Sequence, residues 1–406
     1  MKKKIPSLML SLAALLIFAW SGPALADVFI QCPTDNWEAE QAATEDLDGD
    51  GVIDYQDDNV VCIHLSAGDG FTTMADGYPQ YMFGFGDVTG VPADMVMMEG
   101  MLGANAPSPL ISVKEGNEVY LNLTNVGMMM RPDLFDPHTV HWHGFRNAAA
   151  VFDGVPDASL SINMGSTFTY YYVPIDPGTY LYHCHVEATE HMQMGMLGNL
   201  YVTPLQDGTP IGGFTQFAYN DGDGSTGYDV DYALQFTDFD KEFHDASIYV
   251  QPLPFALMED DYHLINGRGY PDTVNPADID GTDPFGGIYP GSQNMPALIE
   301  AQVGQRILLR LSSLSVTKFH TVTVLGIPMK VVGLNARLLR GPTGIDLSYS
   351  TSSINLGGGE SADVLLETDG LEPGTYFLYS RNLDDLNNNE MDRGGAMTEI
   401  RLTAAP

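Results

Sequence analysis

The segment His183-Cys184-His185, followed by His191 and Met196, brings a thiol, imidazoles and a thioether into one short stretch of chain. Side chains alternate between the two faces of an extended strand. Cys184 is therefore predicted to face away from His183 and His185. A soft metal ion bound by Cys184 would then be connected, through one peptide link, to whatever the flanking imidazoles bind. This arrangement favours an electron relay over a structural brace.

A second motif lies upstream, at His138-Thr-Val-His-Trp-His-Gly144. The two motifs together supply two imidazoles, one thiolate and a weak axial thioether, which is the ligand set of a blue, type 1 copper centre. This set is His138, Cys184, His191 and Met196. The remaining imidazoles are predicted to converge on a second copper site of type 2/3, and they are His141, His143, His183 and His185.

Both motifs resemble the signature of the multicopper oxidase and cupredoxin family, H-x-x-H-x-H-G, then H-C-H and H-x-x-x-G-M. The resemblance covers the chain from about Pro107 onward, with one departure. Five residues, 186–190, separate His185 from His191, where common laccases have three. The resemblance implies a laccase-like copper oxidoreductase that passes electrons from a small-molecule or metal-ion reductant to dioxygen.

The first 26 residues are predicted to be a secretory signal peptide. Three lysines precede an apolar stretch, and Ala24-Leu-Ala26 is a small-residue cleavage site. No later run is long and apolar enough to span a bilayer, so we expect a periplasmic or secreted product. The formal net charge of −36 argues against nucleic acid or anionic lipid as a partner.

Two further cysteines, Cys32 and Cys62, remain if Cys184 binds copper. An oxidising compartment predicts a disulfide between them. It would close a segment that resembles an EF-hand loop and, more closely, a thrombospondin type 3 calcium repeat. Alternating carboxylates could form an oxygen cage for calcium, and the candidate ligands are Asp46, Asp48, Asp50, Asp54 and Asp57.

The chain contains a diverged internal repeat. Ser-Ile-Asn at 161–163 recurs at 353–355, and Pro-Gly-Thr-Tyr at 177–180 recurs at 373–376. Short β-branched and aromatic runs bounded by Gly, Pro and Asn predict an all-β fold of two Greek-key sandwiches, and the resemblance makes them cupredoxin-like. The predicted divisions are an N-terminal segment at 27–89, a copper-bearing domain at 90–206, a linker at 207–229 and a second domain at 230–406.

Aligning the two halves indicates that the second domain is degenerate. His138 aligns with His320, whereas Cys184 aligns with Ser380. The second domain therefore lacks a type 1 ligand set. His320 is left as a possible supporting residue behind the metal ligands, or as a contributor to a neighbouring subunit's site.

The family's trinuclear cluster uses eight histidines in four H-x-H pairs, and this chain has two such pairs. Three hypotheses remain. Copies of the chain, with a homotrimer as the family default, or histidines from another protein, could complete an oxygen-reducing cluster. A smaller site could use a neighbour's His320, as in copper nitrite reductases, although those enzymes carry Asp where His141 stands. Alternatively, the blue copper could work alone as an electron carrier or copper-binding protein. In each case the reductant is expected near His191, the ligand whose ring edge is typically exposed.

Overall fold

The computed structural model describes residues 30–32, 59–145, 149–249 and 252–405. The first sandwich has two four-stranded sheets. One has the order β2-β1-β4-β6, and the other has the order β3-β8-β7-β5. The strands are β1 (Val60–Thr73), β2 (Pro79–Asp87), β3 (Ser108–Lys114), β4 (Glu118–Gly127), β5 (His141–Trp142), β6 (Thr167–Tyr172), β7 (Gly178–His183) and β8 (Leu197–Thr203). In β3, buried Ile111 and Val113 alternate with exposed Ser112 and Lys114, as expected for a strand with one face on the core.

Residues 60–87 are part of the first sandwich, although the sequence placed them in a separate N-terminal segment at 27–89. Strand β1 pairs in parallel with β4 and antiparallel with β2. Leu65, Phe71 and Phe83 are fully buried in the first domain's core. A disulfide joins Cys32 to Cys62 on β1, with their Cα atoms 5.9 Å apart, and so attaches residues 30–32 to this sheet.

The second sandwich has a nine-stranded sheet packed against a five-stranded one. The larger has the order β19-β18-β22-β16-β11-β12-β24-β25, with β20 paired to β18, and the smaller has the order β15-β26-β23-β17-β21. Two-stranded sheets β9-β10 and β13-β14 complete the fold. The strands are β9 (Gln216–Phe217), β10 (Gly227–Tyr228), β11 (Val230–Phe239), β12 (Tyr262–Ile265), β13 (Ile279–Thr282), β14 (Ile288–Gln293), β15 (Ile299–Gln302), β16 (Arg306–Ser313), β17 (His320–Val324), β18 (Met329–Leu334), β19 (Arg337–Leu338), β20 (Tyr349–Thr351), β21 (Ile354–Leu356), β22 (Glu360–Glu367), β23 (Gly374–Ser380), β24 (Asn387–Asn388), β25 (Met391–Asp392) and β26 (Met397–Thr403). The predicted all-β architecture is confirmed.

Helices are short in the described part of the chain, and they are α1 (Val96–Glu99), α2 (Ala188–Gln193) and α3 (Lys241–Tyr249). Single 3₁₀ turns occur at Ala150–Phe152, Phe255–Leu257, Asp272–Val274 and Leu383–Asp385. The side chain of Asp240 accepts a hydrogen bond from the Phe243 N–H at 2.9 Å, which satisfies a free donor at the start of α3. Helix α3 then packs Phe243 into the first domain's core.

The two sandwiches contact each other through buried polar groups. Asp363 on β22 accepts hydrogen bonds from the Thr179 hydroxyl and the Tyr219 hydroxyl, each at 2.5 Å. The Ser361 hydroxyl donates to the Thr179 carbonyl at 2.6 Å. Because Thr179 lies on β7, these bonds hold β7 against β22. The end of β7 at His183 therefore lies close to the turn 357–359 that precedes β22.

Two sequence predictions fall outside the described residues. The signal peptide at 1–26 and the calcium candidates Asp46 to Asp57 lie outside them, so they stay predictions. Across the described ranges, no helix is both long enough and apolar enough to cross a membrane.

Candidate metal centre

Strand β7 delivers the His183-Cys184-His185 segment to the centre of the first domain. His183 is the last residue of β7 and pairs with His141 on β5. The Cys184 N–H donates to the Met196 carbonyl at 3.1 Å, and the His185 N–H donates to the Thr139 hydroxyl at 3.1 Å. The backbone thus stays extended through Cys184, and adjacent side chains point to opposite sides.

On one side, the Cys184 sulfur meets two imidazoles, and we call this the thiolate group: His138, Cys184 and His191. The Sγ atom lies 3.2 Å from His191 Nδ1 and 3.8 Å from His138 Nδ1. The three ligand atoms lie within 4.8 Å of one another, and all three residues are buried. The Thr139 N–H also donates to Sγ at 3.5 Å. Two backbone hydrogen bonds with Ile162 fix the main chain at His138.

Met196 lies in the same buried cluster as Cys184 and has no exposed surface. Its N–H donates to the His191 carbonyl at 2.8 Å, and its carbonyl accepts from the Cys184 N–H at 3.1 Å. These two bonds form a tight loop that depends on Gly195. That residue has φ +114°, and a Cβ there would lie 2.8 Å from the Phe83 carbonyl oxygen, so a side chain at this position would be strained and crowded. The spacing from His191 through Gly195 to Met196 is therefore a structural requirement of the thiolate group.

On the opposite side, three rings form what we call the imidazole group: His141, His143 and His183. Their ligand atoms lie within 4.8 Å of one another, and Nε2 of His143 is 2.8 Å from Nε2 of His183. Nδ1 of His183 lies 2.7 Å from the Cys184 carbonyl, and Nδ1 of His141 lies 2.6 Å from the Asp153 carbonyl. A carbonyl oxygen only accepts, so both Nδ1 atoms carry the proton, and Nε2 of each ring presents its lone pair to the group.

His185 belongs to this side of the strand but not to the tight group. Its ring centroid is 5.1 Å from that of His141 and 5.7 Å from that of His183. The sequence predicted four convergent imidazoles, and the structure brings three together with the fourth beside them.

Burial makes both groups suitable for a metal cation. It lowers the pKa of His183 to about 3 and the pKa of His143 to about 4. It also lowers the pKa of His191 to about 4 and lowers that of His138 well below its usual range. These rings are neutral near pH 7, with a lone pair available. Burial raises the pKa of the Cys184 thiol to about 11, so the sulfur needs a cation to become a thiolate at neutral pH.

The second domain faces the imidazole group with glycine rather than histidine. Nδ1 of His143 lies 3.4 Å from the Gly359 carbonyl oxygen, and a Cβ at Gly359 would lie 2.9 Å from the His143 ring. A cavity of about 330 Å³ beside the group is lined by His143, His183 and Gly359 together with residues 314–319. Among the residues that the structure describes, the intramolecular domain interface therefore supplies peptide groups and space, but no further imidazole.

The other four histidines of the chain are engaged elsewhere. His64 Nε2 lies 2.7 Å from the Thr124 hydroxyl, and His244 contacts the carbonyls of Tyr81 and Gln193. His263 Nδ1 donates to Asp238 at 2.5 Å. His320 is fully buried, and its Nε2 donates to Asp238 at 2.9 Å. An internal charged partner therefore holds the His320 ring inside its own domain. This burial argues against a contact of His320 with a neighbouring subunit's site, and against the nitrite-reductase-like arrangement that needs such a contact.

A second expectation also fails. The ring edge of His191 was expected at the surface, yet His191 and His138 have no exposed area. Phe83 packs edge-on to His191 with ring centroids 5.8 Å apart. Phe243 and Leu253, which follow β11, join the core cluster that contains Cys184. His244 of the second domain contacts the carbonyl of Gln193, two residues from His191, so the second domain covers the side of the first domain where a reductant was expected to dock.

Three residues contribute to the site that the sequence did not identify, namely Thr139, Asp153 and Gly359. The Gly-Gly-Gly run at 357–359 was an available signal, since consecutive glycines indicate close backbone approach. Nothing in the local sequence relates the Asp153 carbonyl to His141.

Comparisons with known proteins agree with this geometry. Two family models, both described as multicopper oxidase, match residues 88–207 and 239–401. The chain belongs to the multicopper oxidase family.

Individual relatives are distant. Laccase-1 of Cryptococcus neoformans var. neoformans is 26% identical over 286 residues, which is 67% of this chain and 39% of that protein. The chain thus spans well under half the length of this relative. The blue copper oxidase of Nitrosomonas europaea superposes with a TM-score of 0.62 at 25% identity, covering 84% of this chain and 86% of that one. The multicopper oxidase mgLAC also superposes with a TM-score of 0.62, at 22% identity, over 86% of this chain and 87% of its own.

Membership of the multicopper oxidase family implies copper as the cofactor. The donor sets fit this metal, since a thiol with two imidazoles and a nearby thioether suits a soft ion, and neutral imidazoles suit copper. Nε2 of His138 and of His191 has no hydrogen-bond partner within the described residues, whereas Nδ1 of each ring faces the sulfur. This orientation is appropriate for metal ligation through Nδ1.

Proposed function

We propose that this multicopper oxidase accepts electrons one at a time at the thiolate group and passes them to the imidazole group, where dioxygen is reduced. One observation carries the proposal. The consecutive residues His183 and Cys184 place their ligand atoms in two different groups, each compact enough to hold a metal ion. The proposed ligands are His138, Cys184, His191 and axial Met196 for type 1 copper, and His141, His143 and His183, with His185 beside them, for type 2/3 copper.

The chain provides a short covalent path between the groups. One peptide link separates Cys184 from His183, and the Nδ1–H of His183 donates to the Cys184 carbonyl at 2.7 Å, which adds a parallel hydrogen-bonded path. Copper bound at the two groups would supply one-electron redox chemistry. The Thr139 N–H bonded to Sγ would withdraw electron density from sulfur and so tune the reduction potential.

The reductant, a small molecule or a metal ion, would act without touching a ligand of the thiolate group. His138 and His191 have no exposed area, so electrons have to cross the buried layer around these rings, which includes Phe83 packed edge-on to His191. We infer outer-sphere transfer for this reason. Contact recognition of a particular organic substrate at His191 is incompatible with that burial.

Assembly would complete the imidazole group. Three rings form the group, and the second domain offers Gly359 opposite His143. A larger cluster therefore requires imidazoles from another copy, and we propose a homotrimer, exported to the periplasm or secreted. The acidic loop at Asp46 to Asp57 is proposed to bind calcium in that compartment.

The decisive experiment is to measure copper content and the EPR spectrum of purified protein alongside oxygen uptake with a phenol or Cu(I). The proposal expects type 1 and type 2 signals together with oxygen consumption. A type 1 signal alone, with no oxygen consumption, would instead support an electron carrier. Analytical ultracentrifugation of the same sample tests the trimer.

A further inference from the structure

Two cavities lie on either side of the second-domain segment Thr317-Lys318. The inner cavity, about 330 Å³, is the one bordered by His143 and His183. The outer cavity, about 530 Å³, is acidic, and its lining includes Glu259, Asp260, Asp261, His263 and Asp384. Thr317 and Lys318 line both cavities. Because Glu259 and Asp384 are exposed, the outer cavity communicates with solvent.

Asp260 links the outer cavity to the shared wall. Asp260 is only 7% exposed, and its Oδ2 accepts a hydrogen bond from the Thr317 hydroxyl. Its Oδ1 accepts from Gln193 Nε2 at 3.0 Å. Burial, followed by the charge of Asp238, raises the pKa of Asp260, while the bonds from Thr317 and Gln193 and the charge of Lys318 partly offset this rise. A carboxyl of this kind takes up a proton more readily than an exposed aspartate.

Charged groups around Asp260 are held in fixed positions. Lys318 Nζ donates to His263 Nε2 at 3.2 Å, and His263 Nδ1 donates to Asp238 at 2.5 Å. Asp238 also accepts from His320. Besides these groups, the carboxylates Glu259, Asp261 and Asp384 face the same cavity. They concentrate protons near the entrance, because an acidic cavity attracts cations.

We propose that Asp260 and Thr317 form the proton entry route from the acidic outer cavity to the imidazole group. The route rests on the proposed oxidase function. Reducing one dioxygen to two waters takes four electrons, from four one-electron oxidations of the reductant, and four protons. Each proton passes from water in the outer cavity to the Asp260 carboxylate. The carboxylic acid then protonates the Thr317 oxygen as that hydroxyl releases its own proton towards reduced oxygen in the inner cavity, and Asp260 returns to the carboxylate.

The test uses Asp260→Asn in the copper-loaded full chain. Asparagine keeps the size and an acceptor for Gln193, but it cannot carry a proton. We expect oxygen uptake with saturating phenol to fall by about 100-fold, the lower end of what positioned proton transfer contributes. The anaerobic rate at which the same phenol bleaches the thiolate–copper absorption should stay at the wild-type value. Glu259→Gln removes a charge from the same cavity but leaves the Asp260–Thr317 hydrogen bond in place, so it should lower uptake far less than Asp260→Asn does.

Two further measurements distinguish a proton-relay role of Asp260 and Thr317 from a purely structural role. Thr317→Ser should keep oxygen uptake and Thr317→Val should lose it, because only serine retains the hydroxyl. Infrared titration of the copper-free protein should reveal a protonated carboxyl that persists above the usual aspartate range and disappears in Asp260→Asn. Unchanged uptake in Asp260→Asn, or a carboxyl band that survives the substitution, would overturn the route. Absence of oxygen uptake in the wild-type protein would overturn the proposed function itself.

Discussion

The carbonyl oxygen of Gly359 in the second domain lies 3.4 Å from Nδ1 of His143 in the first. The second domain therefore contacts the imidazole group through its backbone. Gly359 also has φ +91°, a conformation that L side chains rarely adopt. This contact makes the position of the His143 ring depend on how the two domains pack.

Gly359→Ala should disturb the imidazole group without affecting the thiolate group. The new Cβ would lie 2.9 Å from His143 Cε1, so the ring has to move. We expect copper content at the imidazole group and oxygen uptake to fall, while thiolate–copper absorption persists. Gly370→Ala is the matched control, because Gly370 has φ +76° and an added Cβ there would meet nothing within 4 Å. Each variant should lose about 1–2 kcal/mol of stability from backbone strain. Equal oxygen uptake in both variants would therefore contradict the claim that the Gly359 contact positions the His143 ring.

Cys184→Ser should abolish the intense visible absorption expected of a thiolate–copper(II) centre. Serine is similar in size, but its alkoxide is not accessible at neutral pH, so the soft ligand is lost. Visible absorption spectra of copper-loaded wild type and variant, recorded with metal analysis, measure this. A variant that stays blue would exclude Cys184 as the ligand.

His143→Ala should spare that absorption and remove oxygen uptake. The His143 ring belongs to the imidazole group, on the side of the strand opposite the Cys184 sulfur. Spectra and oxygen electrode traces on the same preparation test the separation. Loss of colour together with uptake would mean that the two groups are not independent.

In copper-free protein, Cys184 should resist alkylation at pH 8. Burial raises its pKa to about 11, against about 9 for an ordinary thiol, so its thiolate fraction is roughly 100-fold smaller. Iodoacetamide labelling followed by mass spectrometry should be slow in the native state and fast after denaturation. The disulfide between Cys32 and Cys62 leaves no competing thiol. Rapid native labelling at pH 8 would contradict the burial of the sulfur.

His320→Gln should destabilise the protein most at low pH. Burial alone would lower the pKa of His320, but the charge of Asp238 outweighs it and raises this pKa to about 9. A folded pKa above the unfolded value of 6.5 contributes stability fully below pH 6.5, and this contribution is lost as the pH rises through 9.

Urea unfolding of copper-free wild type and His320→Gln at pH 6 and pH 9 measures this effect. The free energy of unfolding should drop by roughly 3 kcal/mol at pH 6, as for a broken buried ion pair, and by less at pH 9. His64→Gln is a control of opposite sign, because burial lowers the pKa of His64 to about 4, below its unfolded value, so its cost should be smaller at pH 6 than at pH 9. If the loss in free energy of unfolding caused by His320→Gln instead grew with pH, the pKa of His320 in the folded protein would not lie above its unfolded value.

Local backbone geometry was enough to predict much of the arrangement of the two ligand groups. The alternation of side chains along a strand was enough to separate Cys184 from His183, because that geometry is a property of the extended backbone. The turn from His191 through Gly195 to Met196 is equally local, and the structure forms it with two backbone hydrogen bonds. Aligning the two halves placed Ser380 where the first domain has Cys184, and this comparison needs no tertiary structure.

The tertiary structure decided what surrounds the two groups. Burial of His191, the partnership of His320 with Asp238, and the approach of Gly359 to His143 all arise from contacts between residues far apart in sequence. No periodicity or motif encodes such contacts, because they depend on how β7 packs against β22 and where α3 lies. The amino-acid sequence by itself determined the ligand types and their order along the strand, since these follow from covalent spacing. Packing between the two sandwiches determined their exposure and their neighbours, since burial is set by the whole folded chain.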